Sequence, residues 1–320
     1  MKLRDYELKY KSGLPFQAEL SRVSNIIPHR HDSELELVYC LEGAVHLEAS
    51  DQKATLTSGQ LHSIDYDDVH CLWSDDDNIT LIFHLNLKQL PQWESLRYIL
   101  FACESLHLFP YQEKAMERVK DIVLSLTYAY FTDDTSPEEK FEKPLNELVD
   151  LLLHYFNWYN YENQDDYMND ELLERFYRVL VYCNRNYTEK ITVSQLAAQE
   201  NINRNYFSQF IGKTVFSSFS NMVNYIRCWH AENLLLTTDM PNAEISYACG
   251  FSDPKYFYAA FKELWGCTPS EHRQQYEEYY QECLADPHNK KGEAIIPDCD
   301  ASEILEQFIL KWHLRKTFEL

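Results

Sequence analysis

Glycine is scarce, seven among 320 residues, which is too little for the glycine-rich loops that cradle phosphates. Basic side chains are also short: 29 Lys and Arg stand against 51 Asp and Glu, a formal net charge of −22. The nine cysteines are scattered without a C-x-x-C pair. That spacing excludes a zinc ribbon, and the odd number suits free thiols in a reducing compartment. No apolar run approaches the ~20 residues of a bilayer-spanning helix, and the first residues lead into no hydrophobic signal region. No nucleophile and base stand in a recognisable constellation. A cytoplasmic, non-enzymatic protein is therefore expected. Present in quantity are hydrophobic residues, 45% of the chain, enough to supply cores for two or three domains.

Residues 241–273, PNAEISYACGFSDPKYFYAAFKELWGCTPSEHR, read as a helix-turn-helix followed by a further helix. Ile245, Ala248 and Cys249 form an apolar face, Gly250 supplies the turn, and Phe251, Phe257 and Phe261 resume the inward stripe. Asp253 is a preferred N-cap, and Pro254 at the first helical position has no N–H to lose. Thr268 and Glu271 form a capping box for the next helix. The unit has an upstream copy, in which Leu196, Asn201-Ile202-Asn203 and Tyr206-Phe207 stand for Ile245, Gly250-Phe251-Ser252 and Tyr256-Phe257. Asn201 replaces the turn glycine because Asn tolerates the left-handed region, and Thr192 with Gln195 caps the copy's first helix. Between the copies, 219–238 reads as one amphipathic helix of about 20 residues, or roughly 30 Å. That approaches the ~34 Å between successive major-groove faces of B-DNA.

On these residues, 172–275 resemble the DNA-binding domain of the AraC/XylS family of transcription regulators. Gly250-Phe251-Ser252-Asp253, Tyr256-Phe257, Phe261-Lys262, Gly266, Thr268-Pro269, Arg273, Arg227 and Ala231 carry the resemblance. The first copy departs from it: Phe216 sits where the family usually has glycine between reader and connecting helix. With Asn203 as the cap of the first reader, helical phase turns Arg204, Asn205, Ser208 and Gln209 outward there, and Pro254, Lys255, Tyr258 and Ala259 in the second. Asn and Gln can pair bidentately with adenine edges and Arg with guanine. The resemblance makes Asn205, Gln209, Lys255 and Ala259 base-facing, and Lys213 and Lys262 phosphate-facing. Charge distribution is compatible with double-stranded DNA: residues 1–170 hold 14 basic and 31 acidic side chains, whereas 171–273 hold 10 and 10. A neutral domain can present Arg204, Lys213, Lys255, Lys262 and Arg273 on one face.

The first part of the chain has the short period of strands, at 35–41, 44–49, 53–57, 60–66 and 79–87. Within it, His29-x-His31-x4-Glu36-x6-Gly43 and Gly59-x5-Asp65-x-Asp67-x2-His70 reproduce the spacing of both motifs of the cupin fold. In the second motif Asp65 and Asp67 stand for the usual Pro and Gly. The resemblance implies a sensing β-barrel with His29, His31, Glu36 and His70 in its effector pocket, where metal-binding cupins put their ligands. No cofactor is expected, and a first-row transition metal on these four is the alternative. Trp73, Tyr39, Tyr66 and Phe83 are candidate aromatic walls for a small polar ligand such as a sugar.

The expected architecture is multidomain α+β. It comprises a cupin-type barrel (1–88), a helical dimerisation segment (89–163), an all-α domain with two helix-turn-helix motifs (172–284), and a C-terminal extension (285–320). In the second region Met116, Val119, Ile122, Val123 and Leu126 form one stripe and Leu145, Leu148, Leu152 and Tyr155 another, with a break at 132–137 and a linker at 161–171. In the extension, Ser302 should cap a final helix bearing Ile304, Leu305, Phe308, Ile309 and Trp312, docked on its own chain. The resulting expectation is a homodimeric, effector-controlled transcriptional activator with RNA polymerase as a further partner. A metal-dependent cupin enzyme and a regulator acting through protein contacts are the alternatives.

Overall fold

The structure, a computed structural model, describes residues 4–5, 8, 10–11, 13–49, 52–91, 96, 99–132, 139–157, 170–285 and 293–318. The chain divides into two compact units, one drawn from 5–93, 101–157 and 283–320, the other chiefly from 158–282. The expected break after Thr132 and the expected linker up to residue 169 lie outside the described residues.

The first unit holds strands β1 (Arg4–Asp5), β2 (Phe16–Val23), β3 (Asn25–Arg30), β4 (Glu34–Glu42), β5 (Ala44–Ala49), β6 (Gln52–Thr57), β7 (Gln60–Ile64), β8 (His70–Trp73), β9 (Ile79–Asn86) and β10 (Glu293–Ile295). They form two five-stranded sheets, a smaller one of shorter strands in the order β1-β3-β8-β5-β6 and a larger one of longer strands in the order β10-β2-β9-β4-β7. The expected barrel is therefore not closed by hydrogen bonds. One edge of the larger sheet is instead taken by β10, which pairs antiparallel with β2. Val38, Cys40 and Ile82 of the larger sheet share one core with Val45, Leu47, Leu56 and Leu72 of the smaller.

Strand parity separates two faces of the larger sheet. Glu36, Val38 and Cys40 of β4 and Ile82 and His84 of β9 have one parity, that of the core between the sheets. Leu35, Leu37 and Tyr39, with Leu81, Phe83 and Leu85, have the other and are also fully buried. This second face is covered by helices α1 (Glu113–Thr132) and α2 (Glu139–Tyr155), whose predicted apolar stripes are buried except for the half-buried Tyr155 and which pack on each other. Phe16 marks the seam, with ring centroids 5.2 Å from Phe83, 5.8 Å from Tyr130 and 5.4 Å from Phe141. A sheet buried on both faces reads as a near-continuous apolar run, as ELELVYCLE in β4 does.

The C-terminal extension is part of this unit. After β10, helix α10 (Asp298–Phe318) begins four residues before the expected cap Ser302, because Pro297 ends the strand and Asp298 and Asp300 suit the first turn of a helix. Leu305 is fully buried, the Phe308 ring meets Tyr39 edge-on at 6.0 Å, and Trp312 Nε1 donates to Asp121 at 3.0 Å. Lys120 lies over the Trp312 ring at 5.3 Å.

The second unit is helical: α3 (Asp170–Arg185), α4 (Val193–Gln199), α5 (Arg204–Gly212), α6 (Phe219–Thr237), α7 (Asn242–Ala248), α8 (Pro254–Trp265) and α9 (Pro269–Ala285). The predicted caps form. Thr192 accepts from Gln195 N, Asn203 from Tyr206 N and Asp253 from Lys255 N, while Thr268 and Glu271 exchange hydrogen bonds of 2.7 and 3.2 Å. The 19-residue rod α6 is shared between two cores. Met222 and Ile226 pack with Phe207, Phe210 and Ile211, whereas Cys228, Ala231 and Leu235 pack with Ile245, Cys249, Phe251, Phe257 and Phe261. Ala248, expected on the inward face of α7, is exposed; the buried face is made by Ile245, Ser246 and Cys249, and at 3.6 residues per turn Ala248 lies about 100° round the helix from its centre.

Asn201 and Gly250, the two turn residues, have φ of 54° and 81°. Between reader and rod the left-handed residue is Ser217, φ 56°, one place beyond buried Phe216. A non-glycine residue there is strained by roughly 1–2 kcal/mol. Ser217→Gly is expected to raise the stability of the helical unit by about 0.5–1 kcal/mol after the greater freedom of the unfolded glycine is allowed for. Urea unfolding followed by circular dichroism reads this, and an unchanged or lower midpoint contradicts it.

Candidate nucleic-acid interface and sensor site

Helix α5 buries Phe207, Phe210 and Ile211 and leaves Arg204, Asn205, Ser208 and Gln209 exposed, with Lys213 exposed at its C-cap. Helix α8 repeats the arrangement, burying Phe257, Ala260 and Phe261 and exposing Lys255, Tyr258, Ala259 and Lys262. Tyr206 and Tyr256, equivalent in the two copies, are 42% and 55% exposed, so each reader also offers an amphipathic ring that helical phase had not singled out. Tyr258 accepts from Asn242 Nδ2 at 3.2 Å, which orients its hydroxyl.

Arg273 does not join this face. Its guanidinium donates to the carbonyls of Leu235 (2.9 Å) and Met240 (2.9 Å) and to Asn242 Oδ1 (3.2 Å). It thus satisfies carbonyls at and beyond the C-terminal end of α6, where a cation is favourable. Arg227 similarly donates to the carbonyls of Tyr187 and Glu189, both at 2.8 Å, anchoring the 186–189 turn to the middle of the rod. Gly250 abuts the same turn: a Cβ added to it would lie 2.5 Å from the Tyr187 carbonyl oxygen. These contacts fix the angle between the two readers.

In the β-unit, His29, His31, Glu36 and His70 come together as their spacing predicts; one ligand atom from each can be chosen so that all lie within 4.8 Å of one another. Strand pairing explains the convergence. His29 is opposite His70 across β3 and β8, and Glu36 is opposite His84 across β4 and β9. Glu36 Oε2 receives His31 Nε2 at 3.2 Å, His70 Nε2 at 3.1 Å and His84 Nε2 at 3.1 Å. His84 was missed from sequence. Its signal was its inward parity in the strand read at 79–87, but the register that places it opposite Glu36 could not be read.

Burial works against ionising Glu36, yet the charge of His70 and the three imidazole hydrogen bonds outweigh it and hold the carboxyl well below its usual range. For His70 the balance is the converse. Burial opposes its charge, and Glu36 overcomes that and raises its pKa. Burial, then the neighbouring His70, pushes His29 well down, and burial lowers His31 despite its bond to Glu36. At the centre Glu36 and His70 each favour the charged form of the other, with further imidazoles around them.

The candidate pocket residue Trp73 lies apart from this cluster. It is three residues from His70 on the same strand, hence of opposite parity, and its ring stacks on His46 at 5.3 Å. The candidate walls Tyr39 and Phe83 belong by parity to the helix-covered face of the larger sheet. Tyr66 is buried, 4% exposed. Asp67, in the place of the second-motif glycine, has φ 63° and pairs with Arg30 at 2.7 Å. It tolerates the backbone its position demands.

Residues 196–275 match the family model described as a helix-turn-helix domain. The uncharacterized HTH-type transcriptional regulator YdiP of Escherichia coli K12 is 25% identical over 264 residues, covering 79% of this chain and 83% of its own length. The HTH-type transcriptional activator RhaR of Enterobacter sp. 638 is 26% identical over 250 residues, 77% of this chain and 86% of RhaR. Identity with YijO, another uncharacterized HTH-type regulator of E. coli K12, is 35% but confined to 95 residues, 30% of this chain and 34% of that protein. Among the described residues no helix is long and apolar enough to cross a membrane. Two helix-turn-helix units on a shared rod, matched by this family model, make this region an AraC-type helix-turn-helix DNA-binding domain, in a chain similar along most of its length to transcriptional regulators.

Proposed function

We propose that this regulator activates transcription as a homodimer, under the control of an effector bound by the His29, His31, Glu36 and His70 cluster. The observation that carries the DNA-reading part is the duplication: two recognition helices present equivalent outward residues from a rod of 19 residues, about 28 Å at 1.5 Å per residue. Such a rod suits successive turns of one duplex face. Asn205 and Gln209 then read bases in one groove segment and Lys255 and Tyr258 in the next, with Ala259 at the base edges and Arg204, Lys213 and Lys262 near phosphates. The neutral charge of this region calls for avidity, which a dimer supplies. An effector controls occupancy only through unequal affinity for the two arrangements of the protein.

The test is selection of bound duplexes from random DNA by the full-length protein. Two half-sites about one helical turn apart are expected. On the selected duplex, Gln209→Ala should weaken binding by about 1–3 kcal/mol and relax preference at one base pair. Equal binding across sequences, with a slope against salt that Gln209→Ala leaves unaltered, would refute the assignment.

A further inference from the structure

We infer that Cys267 is a nucleophilic thiol, a site of covalent modification by neutral carbon electrophiles of the activated-alkene class, with His272 as its base and Glu232 positioning that base. The residue stands between α8 and α9, directly after Gly266, which caps α8. Among the described residues it is one of two cysteines that are not buried, Cys299 being the other. Its Sγ lies 3.9 Å from His272 Nδ1, and His272 Nε2 lies 2.7 Å from Glu232 Oε1. A nucleophile, a base and a third group that orients the base are the signature of an activated nucleophile, and the first contact is commonly loose before the reagent arrives. No local spacing announces the group, because Glu232 belongs to α6, 40 residues before His272.

Burial gives the relay its direction. Glu232 and His272 are each 4% exposed, so the hydrogen bond between them is shielded from water and stronger for it. With Nε2–H donated to Glu232, the neutral ring presents its Nδ1 lone pair to the thiol. Phe261, Trp265 and Tyr276 hold the imidazole at centroid distances of 5.4, 6.4 and 4.9 Å. Partial burial, then the carboxylates of Glu271 and Glu232, raise the Cys267 pKa. The resting group is therefore a thiol, and it loses its proton only as it attacks. In that step sulfur bonds to the β-carbon of the alkene while the S–H proton passes to His272 Nδ1. The enolate so formed takes that proton at its α-carbon, which leaves a thioether and a neutral imidazole and consumes no oxidant or reductant. The same two carboxylates disfavour an anionic reagent. An adduct also reaches the second reader: His272 packs on Phe261, an inward anchor of α8 whose ring stacks on Trp265 at 4.6 Å, so a group added at Cys267 crowds the support of the recognition helix.

The experiment treats full-length protein with N-ethylmaleimide at neutral pH and follows each cysteine by peptide mass spectrometry, with exposed Cys299 as the reference within the same chain. Cys267 should react about 100-fold faster than Cys299, the lower end of what a positioned base contributes. It should also discriminate more strongly than Cys299 against maleimidoacetic acid, an anionic analogue. His272→Gln should remove the rate advantage and Glu232→Gln should reduce it, with circular dichroism native in both. Modification should weaken binding to the selected duplex at least about 5-fold, and Cys267→Ser should make binding indifferent to the reagent. A Cys267 no faster than Cys299, a rate that neither variant changes, or an adduct that leaves duplex affinity as it was would each overturn the inference. A protein that shows the rate advantage but binds no duplex refutes the DNA reading proposed above and not the thiol site.

Discussion

Glu36→Ala, in metal-free protein, is expected to destabilise the β-unit by about 3–5 kcal/mol, the range found when one partner of a buried ion pair is removed. Glu36 is 2% exposed and accepts from three imidazoles. Without it His70 loses the partner that favours its charged form, and the Nε2–H groups of the surrounding rings lose their acceptor in a buried site. Glu36→Gln retains the shape and one acceptor oxygen, so its loss should be smaller. The effect has a pH signature. A depressed carboxyl contributes stability that is complete above its unfolded value, 4.5, and is lost as pH falls through its folded value. A raised imidazole contributes stability that is complete below its unfolded value, 6.5, and is lost as pH rises through its folded value. The gap between wild type and Glu36→Ala is therefore widest between those two values and narrows above neutrality. Urea unfolding at pH 5.5 and 8.5 measures it. A loss under about 1 kcal/mol, or an equal loss at both pH values, would show that the carboxylate does not hold the cluster.

Gly250→Ala is expected to cost about 2–5 kcal/mol and to abolish paired half-site binding. The new methyl group would meet backbone, not a yielding side chain: the Tyr187 carbonyl oxygen at 2.5 Å, and Thr188 Cα and O at 2.7 and 2.8 Å. To this overpacking, typically 1–3 kcal/mol, is added the left-handed penalty of roughly 1–2 kcal/mol. Relief by moving the 186–189 turn would pull on the Arg227 hydrogen bonds and change the angle between readers. Gly266 is the internal control. It too has positive φ, 71°, but a Cβ there meets nothing within 4 Å, so Gly266→Ala should cost about 1 kcal/mol and leave paired-site binding intact. Unfolding curves and binding to duplexes with one and two half-sites separate the two variants; equal effects at both glycines would contradict the argument.

Local signals carried most of what could be read in advance. In the helical unit, Thr192, Asn203, Asp253 and Thr268 announce four helix starts because capping is a chemical match within three residues. Strands β1, β2, β3, β8 and β10 went unread, the last three for reasons of context. Strand β3 contains Pro28, which argues against a paired strand, yet the proline falls where the pairing with β8 shifts register between Ile26 and His29. Strand β8 has four residues, too few for a visible period. Strand β10 has three, and its partner β2 lies more than 260 residues away. The His-x-His and Glu spacing named four of the five clustered groups, since they belong to short motifs. His84 needed the β4 and β9 register, a property of the folded sheet. Arg273 illustrates the converse: a cation near a reader suggested phosphate until the carbonyls around it were seen.

The return of the chain's end to the edge of β2 makes the DNA-reading portion an insert and not an appendage. A graft that exchanges everything after the sensor would discard β10 and α10, leaving β2 with unsatisfied main-chain groups and a bare margin open to pairing with other molecules. Hybrid regulators built on this scaffold should accordingly replace 170–285 and keep both flanks native.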